Sequence, residues 1–319
     1  MRNWREESLP LLLEEAEALS RVHFPQELLV SAPSQKQYDV AHYQNQRQAF
    51  QTLSVTGSHC ALNCDHCGTK VLEGMRLASS RTRFQQAIVE LPQNGAEGVL
   101  ISGGCLDDGS VPLDRFLDQI ADLKAQGLTV LVHTGLVRPE IARGLKAAGV
   151  DQVLLDIIGD NQTIRDVYHL DKTVDDYRRA LSLLQTHGLY AVPHIVVGLH
   201  YGALRGEFEA LRMISEEGAN QLVVVVLTGL PGTPMARVPS VSGDDVARVL
   251  AAARLMMPTM PLSLGCAKPP GPEKRAMERY AVDVGVQSLA YPLAETIDYA
   301  TAKGYHIRFH EKCCSLLTG

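Results

Sequence analysis

An α/β barrel of the (β/α)8 TIM type is the fold class that this sequence predicts. Short β-branched runs alternate with helical stretches rich in Ala, Leu, Arg and Glu, which is the pattern of βα repeats around a parallel sheet. Eight such runs occur at regular spacing, and their near-continuous apolar character is typical of strands covered on both faces. An open, six-stranded partial barrel is the alternative.

The elements divide the chain into three predicted parts. Residues 1–50 predict an N-terminal extension of helices and loop, 51–302 the barrel, and 303–319 a short extended tail that carries a Cys-Cys pair and folds over the barrel mouth. The eight predicted strands are TLSVTG (52–57), GVLISGG (98–104), LTVLVHTG (128–135), QVLLDII (152–158), VPHIVVGL (192–199), LVVVVLTG (222–229), MPLSLGC (260–266) and VGVQSLA (284–290). In such barrels the chemistry lies at the carboxyl ends of the strands.

Composition narrows the function classes. The chain has 319 residues, 45% hydrophobic content and a formal net charge of −6. No basic stripe is visible, so the sequence predicts no nucleic-acid surface. It also predicts no membrane partner, since no apolar run reaches the roughly 18 residues that span a bilayer. The N-terminus lacks the pattern of a signal peptide. We therefore expect a cytoplasmic protein whose cysteines are metal ligands or catalytic groups rather than disulfides.

Three of the seven cysteines are crowded into the first βα loop. Cys60, Cys64 and Cys67 have the spacing C-x3-C-x2-C. So compact a loop directs three thiolates to one iron–sulfur cluster and supplies no fourth ligand, which leaves one iron open for a small chelating ligand. The alternative is a structural zinc site that uses His59 or His66, although a second C-x2-C is missing.

These motifs resemble those of the radical S-adenosylmethionine (SAM) enzymes. CALNCDHC (60–67) is similar to their cluster motif, with His66 where an aromatic ring is usual, and SGG (102–104) is similar to the glycine motif that receives the methionine amino group of SAM. HIVVGLHYG (194–202) resembles the fifth-strand motif that contacts adenine, and LTGLPGTPM (227–235) the sixth-strand motif. The resemblance implies a 4Fe-4S cluster on Cys60, Cys64 and Cys67. It also implies SAM on the open iron, and reductive cleavage of SAM to a 5′-deoxyadenosyl radical.

The candidate SAM contacts come from these motifs and from polar residues at strand ends. Asp156 and Asp160 flank the end of the fourth predicted strand, where a carboxylate can bond the ribose hydroxyls, and Arg165 can pair with the methionine carboxylate. Asp160 has an alternative role as a helix N-cap. The complete set of predicted contacts is His66, Gly103, Gly104, His133, Asp156, Arg165, His194, Gly198 and Leu230.

The four other cysteines, Cys105, Cys266, Cys313 and Cys314, match the number that a second, fully protein-bound cluster needs. Ser315 or a substrate sulfur can replace one of them. The alternative is that they are separate buried thiols, since free cysteine is a common core residue. We interpret the Cys-Cys pair in an otherwise polar tail as a ligand pair for an auxiliary 4Fe-4S cluster.

The overall pattern resembles the biotin synthase-like proteins, and within them the two radical SAM proteins of the split lipoyl synthase. That resemblance rests on SVTGSHCALNCDHC, LISGGCLDDGSVPL and the terminal CCSL. It implies sulfur insertion at carbon 8 or carbon 6 of an octanoyl chain on a lipoyl-carrier protein, with the auxiliary cluster as sulfur donor. It further implies a partner radical SAM protein and an electron donor such as ferredoxin or flavodoxin.

Two alternatives stay open. One is another radical SAM enzyme, for example biotin synthase-like, a mutase or a peptide-modifying enzyme, whose auxiliary cluster relays electrons. The other is a barrel that binds zinc or a cluster without catalysis.

Overall fold

A curled, parallel sheet covered by helices on its outer face forms the body of the protein. The computed structural model describes residues 2–46 and 48–317. The strands are β1 (Glu27–Ser31), β2 (Asp39–Val40), β3 (Tyr43–Gln44), β4 (Phe50–Ser54), β5 (Arg76–Leu77), β6 (Gly98–Ser102), β7 (Thr129–His133), β8 (Gln152–Asp156), β9 (Ala191–Val197), β10 (Leu222–Val226), β11 (Leu262–Leu264), β12 (Ser288–Ala290) and β13 (His306–His310).

Helices fill most of the connections between these strands. They are α1 (Leu9–His23), α2 (Arg81–Gln93), α3 (Leu117–Ala125), α4 (Pro139–Ala148), α5 (Asn161–Tyr168), α6 (Val174–Thr186), α7 (Glu207–Glu217), α8 (Gly243–Met256), α9 (Pro272–Val284) and α10 (Ala294–Ala302). Short 3-10 turns lie at Lys70–Leu72 and Leu113–Phe116.

The sheet is an open half-barrel. Its strand order is β13-β1-β12-β11-β10-β9-β8-β7-β6-β4-β5 within the described residues, with parallel pairing throughout, and β2 and β3 form a separate antiparallel pair. All eight predicted strands are present, which confirms the α/β fold class. The sheet does not close on itself, because β12 pairs with β1 and the two ends of the order, β13 and β5, remain edges.

Two strands lie where the sequence predicted other structure. The N-terminal segment was expected to hold helices and loop, yet β1 enters the sheet between β12 and β13. Its residues Leu28, Leu29 and Val30 are all buried, and an apolar run so short does not by its periodicity separate a strand from a buried helical turn. The tail begins with β13, which pairs in parallel with β1 over five residues.

Alternate residues of the strands face two different cores. Val130 and Val132 of β7 join the core between sheet and helices, whereas Leu131 between them joins an inner cluster on the concave face. This alternation is the period of two that a strand imposes.

The last described residues enter the concave interior instead of lying across the mouth. Cys314 and Leu316 belong to the inner cluster, and Gln152, the first residue of β8, donates a hydrogen bond to the Ser315 carbonyl at 2.9 Å. The tail therefore fills part of the inner space of the half-barrel, because Cys314 and Leu316 find buried partners there.

Candidate active site

The first site is a loop of cysteines that follows β4. Cys64 and Cys67 lie between two left-handed residues, Asn63 (φ 45°) and Gly68 (φ 47°), and Cys60 lies three residues before Asn63. The N–H groups of Cys67 and Gly68 both donate to the Cys64 carbonyl, at 3.1 and 2.8 Å. The three predicted ligands therefore converge on one face of a tightly turned loop.

A fourth thiol joins this group. The N–H of Cys105, which follows β6, donates to the Cys60 Sγ at 3.3 Å, and the Cys105 carbonyl accepts from the Ala61 N–H at 2.8 Å. The prediction that Cys105 belongs with Cys266, Cys313 and Cys314 is not what the structure shows. The reason is that the chain turns toward the first loop directly after β6.

The glycine pair makes this close approach feasible. A Cβ on Gly104 would lie 2.0 Å from the His59 carbonyl oxygen and 2.5 Å from the Cys60 Cβ, closer than any real side chain packs. The Gly104 N–H donates to Thr56 Oγ1 at 2.7 Å. Gly103 and Gly104 thus press the second βα loop against the first, and they line the same cavity as the cysteines.

The four thiols divide into two with lowered and two with raised pKa. A hydrogen bond from the Cys105 thiol, aided by nearby backbone N–H groups, lowers the pKa of Cys60 to about 5. A hydrogen bond from Cys64 lowers the pKa of Cys67, and the donors Cys64 and Cys105 have raised pKa values in return. Cys60 is therefore a thiolate at neutral pH, which is the form that binds metal, and the pKa of Cys67 is shifted in the same direction.

A cavity of about 470 Å³ opens beside these cysteines. Among the residues that line it are five of the predicted SAM contacts, which the structure therefore brings to one place: His66, Gly103, Gly104, His133 and Asp156. Apolar side chains form much of the remaining wall. A cavity of this size with a few converging polar groups is typical of a small-molecule site.

His133 and Asp156 lie together in the cavity wall, and His194 lies next to His133. His133 Nε2 is 3.7 Å from Asp156 Oδ1, and both side chains keep partial exposure, 26% and 32%, because they face the open cavity. Burial opposes charge on His133, but the hydrogen bond and charge of Asp156 raise its pKa on balance. The ring of His194 lies 5.9 Å from that of His133, and burial, reinforced by His133, lowers the pKa of His194 to about 4.

Two buried polar atoms in this wall lack a partner. His66 Nδ1 and the Tyr168 hydroxyl have no hydrogen-bond partner among the described residues, and their rings are 5.1 Å apart. Buried polar groups are nearly always bonded in native proteins, so such atoms indicate a missing ligand. These atoms, the glycine backbone and Asp156 fit a polar cofactor of the size of SAM. Tyr168 was missed because it lies inside an amphipathic helix pattern that gives no separate signal.

The other predicted SAM residues do not line the cavity. Arg165 is exposed on α5. Gly198 has a left-handed φ of 76°, its N–H donates to Glu207 Oε1 at 2.8 Å, and a Cβ there would meet Val241 at 2.2 Å. The Leu230 carbonyl accepts from Thr233 within its own turn. Asp160 takes the alternative role of N-cap, because its Oδ2 accepts from the Thr163 N–H at 2.7 Å.

An unpredicted set of hydrogen bonds fastens the cysteine loop from outside. Asp65 accepts from the Tyr201 hydroxyl at 2.7 Å and lies 2.8 Å from His169 Nε2. Both partners have left-handed backbone, φ 52° for Tyr201 and φ 54° for His169. Such conformations are costly for residues other than glycine and persist only where the surroundings enforce them. The three residues tie the loops after β4, β8 and β9 together.

A second cysteine group lies deeper in the half-barrel. Cys266, after β11, lies near Cys314, and Cys314 lies near Cys313, close enough for each thiol to shift the pKa of the next. The Cys314 thiol, together with the charges of Lys36 and Lys268, lowers the pKa of Cys266 to about 6. Three of the four cysteines predicted for an auxiliary site are thus together, and Cys105 is not with them. Cys313 is near enough to His133 for its charge to affect the pKa of that histidine.

The stretch KPPGPEKR (268–275) beside this group contributes two lysines to a buried carboxylate. The Lys268 side chain is only 2% exposed and lies 3.8 Å from Glu278, which is fully buried, and Lys274 lies 3.6 Å from the same carboxylate. Burial lowers the pKa of Lys268 to about 8. Arg275 instead pairs with Glu295 on the surface.

A zinc site and a cluster make different demands on geometry. Among residues 2–46 and 48–317, no group of three or more His, Cys, Asp or Glu side chains is arranged to hold a single metal ion. A cuboidal cluster does not need that convergence, because each thiolate binds a different iron. All four cysteines of the first group line the same cavity.

Comparison with known proteins indicates which protein family the chain resembles. Residues 54–202 match the model of the Radical SAM superfamily, a segment that includes the cysteine loop, the glycine pair and Asp156. Over this segment the chain is similar to the Radical SAM superfamily, a family that implies a 4Fe-4S cluster and SAM. No helix of the described chain combines the length and apolar character needed to cross a bilayer.

Individual known proteins are similar to this chain in sequence or in fold, at low sequence identity. The biotin synthase of Geobacillus kaustophilus is 24% identical over 254 residues, which cover 77% of this chain and 75% of the relative. In fold, the chain is similar to the FeFe-hydrogenase maturase HydG from Carboxydothermus hydrogenoformans, with TM-score 0.67, 15% identity, and coverage of 96% of this chain and 74% of HydG. Methylornithine synthase (PylB) has TM-score 0.59 and 16% identity over 90% of this chain and 79% of its own.

Proposed function

We propose that this protein is a radical SAM sulfur-inserting enzyme of lipoyl formation. It adds a sulfur atom at carbon 8 or carbon 6 of an octanoyl chain held on a lysine of a lipoyl-carrier protein. The observation that carries the proposal is the second cysteine group, Cys266, Cys313 and Cys314, gathered inside the half-barrel and apart from the first group. Similarity to biotin synthases supports sulfur insertion as the reaction class.

The donor set around the second group fits an auxiliary cluster. Three thiols are in mutual contact, and the Ser315 hydroxyl beside them is buried with no hydrogen-bond partner among the described residues. A buried hydroxyl without a partner is costly. We assign Ser315 as the candidate fourth ligand of an auxiliary 4Fe-4S cluster, in place of Cys105.

The cavity suits an acyl chain. Its wall includes the apolar side chains Leu62, Val71, Leu72, Met75, Val111 and Leu170. Val71 is 57% exposed, so apolar surface continues from the cavity to the solvent. An octanoyl group that enters there buries its methylene groups, each worth about 0.8 kcal/mol, and lies between the two cysteine groups.

The position of each residue in the site would determine its role. When bound, SAM supplies the radical that removes hydrogen from the substrate carbon. Cys60, Cys64 and Cys67 hold the cluster, and the backbone of Gly103 and Gly104, with Asp156, orients SAM. His66 Nδ1 and the Tyr168 hydroxyl give it two further hydrogen bonds. The apolar wall excludes water from the reacting carbon.

The partners follow from this assignment. The octanoylated or mercapto-octanoylated carrier protein presents the acyl chain at the cavity mouth. A partner radical SAM protein performs the other insertion, and ferredoxin or flavodoxin supplies electrons to the first cluster. We place this activity in the cytoplasm, where both thiol groups stay reduced.

Single turnover of the anaerobically reconstituted protein tests the proposal. With SAM, a reductant and an octanoyl-lysyl or mercapto-octanoyl-lysyl peptide, we expect 5′-deoxyadenosine and a peptide that gains the mass of one sulfur atom. Formation of 5′-deoxyadenosine with neither peptide sulfurated would refute the lipoyl assignment.

Two variants separate the ligand sets. Cys313→Ala with Cys314→Ala is expected to lose about half of the iron and all sulfur transfer while SAM binding stays. Cys105→Ala is the matched control, since it removes a cysteine without removing the second cluster. Equal iron loss in both would contradict the division of ligands.

A second candidate function is favoured by the biotin synthase relatives. In that case the acceptor is the desthio precursor of biotin and the same auxiliary cluster supplies sulfur. Mass analysis of turnover with that precursor, run beside the octanoyl peptides, decides between the two acceptors.

A further inference from the structure

The first site contains one thiol more than an open-iron cluster requires. Cys60, Cys64 and Cys67 are the three ligands of the loop. Cys105 comes from the next βα loop, lines the same cavity, and donates its backbone N–H to the Cys60 Sγ. The function proposed above gives this fourth thiol no role.

The backbone at residue 105 is held firmly against the cysteine loop. Its N–H donates to the Cys60 Sγ at 3.3 Å, and its carbonyl accepts from the Ala61 N–H at 2.8 Å. Gly104 packs so closely that a Cβ there would lie 2.6 Å from the Cys60 Cα. The backbone therefore moves with the loop, and the freedom left to Cys105 is rotation of its thiol about χ1.

We propose that Cys105 is a displaceable fourth ligand of the first cluster. In the absence of SAM, its thiolate binds the iron that Cys60, Cys64 and Cys67 leave open, and SAM displaces it on binding. Thiolates are the usual ligands of fully protein-bound 4Fe-4S clusters. This proposal does not depend on the lipoyl assignment.

The exchange involves ligands and a proton and no change of oxidation state. The Cys105 thiol gives up its proton as the sulfur–iron bond forms. When SAM takes that position, the sulfur–iron bond breaks and the sulfur regains a proton from solvent. Binding of Cys105 covers the open iron, which is the iron that oxidants remove most readily. The cluster is therefore protected when SAM is scarce.

Competition between Cys105 and SAM has a quantitative consequence. The apparent Kd for SAM equals the intrinsic Kd divided by the fraction of clusters with an open iron. If Cys105 closes nine clusters in ten, its removal tightens SAM binding about tenfold. A thiol that only packs in the cavity or only hydrogen bonds to Cys60 has no such effect.

The test uses the full chain with both sites reconstituted, and compares wild type, Cys105→Ala and Cys105→Ser. Thr52→Val, which changes a polar side chain of the same wall outside the predicted SAM motifs, is the control. Ferricyanide oxidation without SAM is followed by electron paramagnetic resonance of the 3Fe-4S product. The part of the signal that prior addition of SAM abolishes belongs to the first site. Equilibrium SAM binding is measured on the same samples.

We expect the SAM-sensitive 3Fe-4S signal to be at least about threefold larger in Cys105→Ala than in wild type, and SAM to bind more tightly, by up to about tenfold. Thr52→Val should resemble wild type. An unchanged signal and an unchanged Kd in Cys105→Ala overturn the proposal, and so does weaker SAM binding. If Cys105→Ala fails to load the first cluster, Cys105→Ser decides by the same two readouts, since its hydroxyl retains a hydrogen-bonding group but is a poorer iron ligand.

Discussion

The two cysteine groups of this protein are built in opposite ways. The first takes three of its thiols from one short loop, and the fourth from the next loop along the chain. The second joins Cys266 to Cys313 and Cys314, between which lie α9, β12, α10 and β13. Spacing alone therefore determines most of the first group, whereas the second exists only because β13 pairs with β1 and β1 with β12.

The largest expected effect separates the two groups by metal content. Cys64→Ala should lose about half of the iron and reduce 5′-deoxyadenosine formation to the uncatalysed background, because it removes a ligand of the first cluster alone. Cys266→Ala should also lose about half of the iron, yet still cleave SAM. Iron and sulfide analysis with quantification of 5′-deoxyadenosine checks both variants.

A combined variant tests whether the second group is one site. Residues that serve a single site give non-additive losses. Adding Cys313→Ala and Cys314→Ala to Cys266→Ala should therefore remove no further iron. A further fall in iron content would contradict this prediction, since it would mean that Cys266 and the pair Cys313 and Cys314 bind iron at separate sites.

The folding stability of the region around the second group should depend more on the buried Lys268–Glu278 ion pair than on the exposed Arg275–Glu295 pair. Glu278→Gln leaves the buried Lys268 ammonium without its carboxylate, and breaking such a pair costs about 3–5 kcal/mol. We expect a loss of free energy of unfolding in that range by chemical denaturation of the metal-free protein, and recovery of at least half when Lys268→Met is added.

The surface pair in the same region is the control for that prediction. Glu295→Gln removes the exposed partner of Arg275, and exposed pairs contribute only about 0–1 kcal/mol. Equal losses from Glu278→Gln and Glu295→Gln would show that burial of the Lys268–Glu278 pair is not what matters.

The histidines between the two groups predict a pH dependence. The pKa of His194 is lowered to about 4 in the folded chain, against about 6.5 when unfolded. The unfolded chain therefore binds the proton first, and folding stability falls as the pH drops from 6.5 to about 4. His194→Asn should reduce that loss by up to about 3 kcal/mol at pH 4.

Denaturation curves of the metal-free protein over this pH range measure the effect. His306→Asn is the control, because the His306 side chain is 74% exposed on the edge strand β13. An identical pH profile for wild type and His194→Asn would contradict a buried, neutral His194.

The smallest effect concerns the close approach of two loops at the first group. Gly104→Ala places a Cβ against the His59 carbonyl, and overpacking of this kind costs about 1–3 kcal/mol. We expect lower thermal stability and weaker SAM binding. Gly74→Ala, whose Cβ meets no described atom within 4 Å, is the steric control for thermal unfolding.

The sequence predicted most of the sheet because apolar runs and turn glycines are local signals. It missed β1 because five residues lie within a segment that otherwise resembles helix and loop. It also failed to identify β13 as a strand of the sheet, since edge pairing leaves that strand's alternate residues exposed. Neither position follows from periodicity, because both depend on which neighbours the chain finds in three dimensions.

The sequence also predicted only part of the candidate site. The cysteine loop and the glycine pair follow from spacing, as does Asp156 from its place at a strand end. Cys105 was assigned to the wrong group, because sequence does not show which way the chain turns after Gly104. The buried pair Lys268–Glu278 was missed since a charge in a proline-rich stretch looks solvated until its partner is known.

Pairing of β1 with β12 and β13 also has a consequence for the order of folding. These contacts join residues near 30 to residues near 290 and 310, and contacts of such high sequence separation pay loop-closure entropy before they gain stability. We expect the consecutive βα units from β4 to β10 to form first and carry a complete cysteine loop. The second thiol group then assembles last, so under the proposed assignment a maturing chain can bind SAM before it can hold a second cluster.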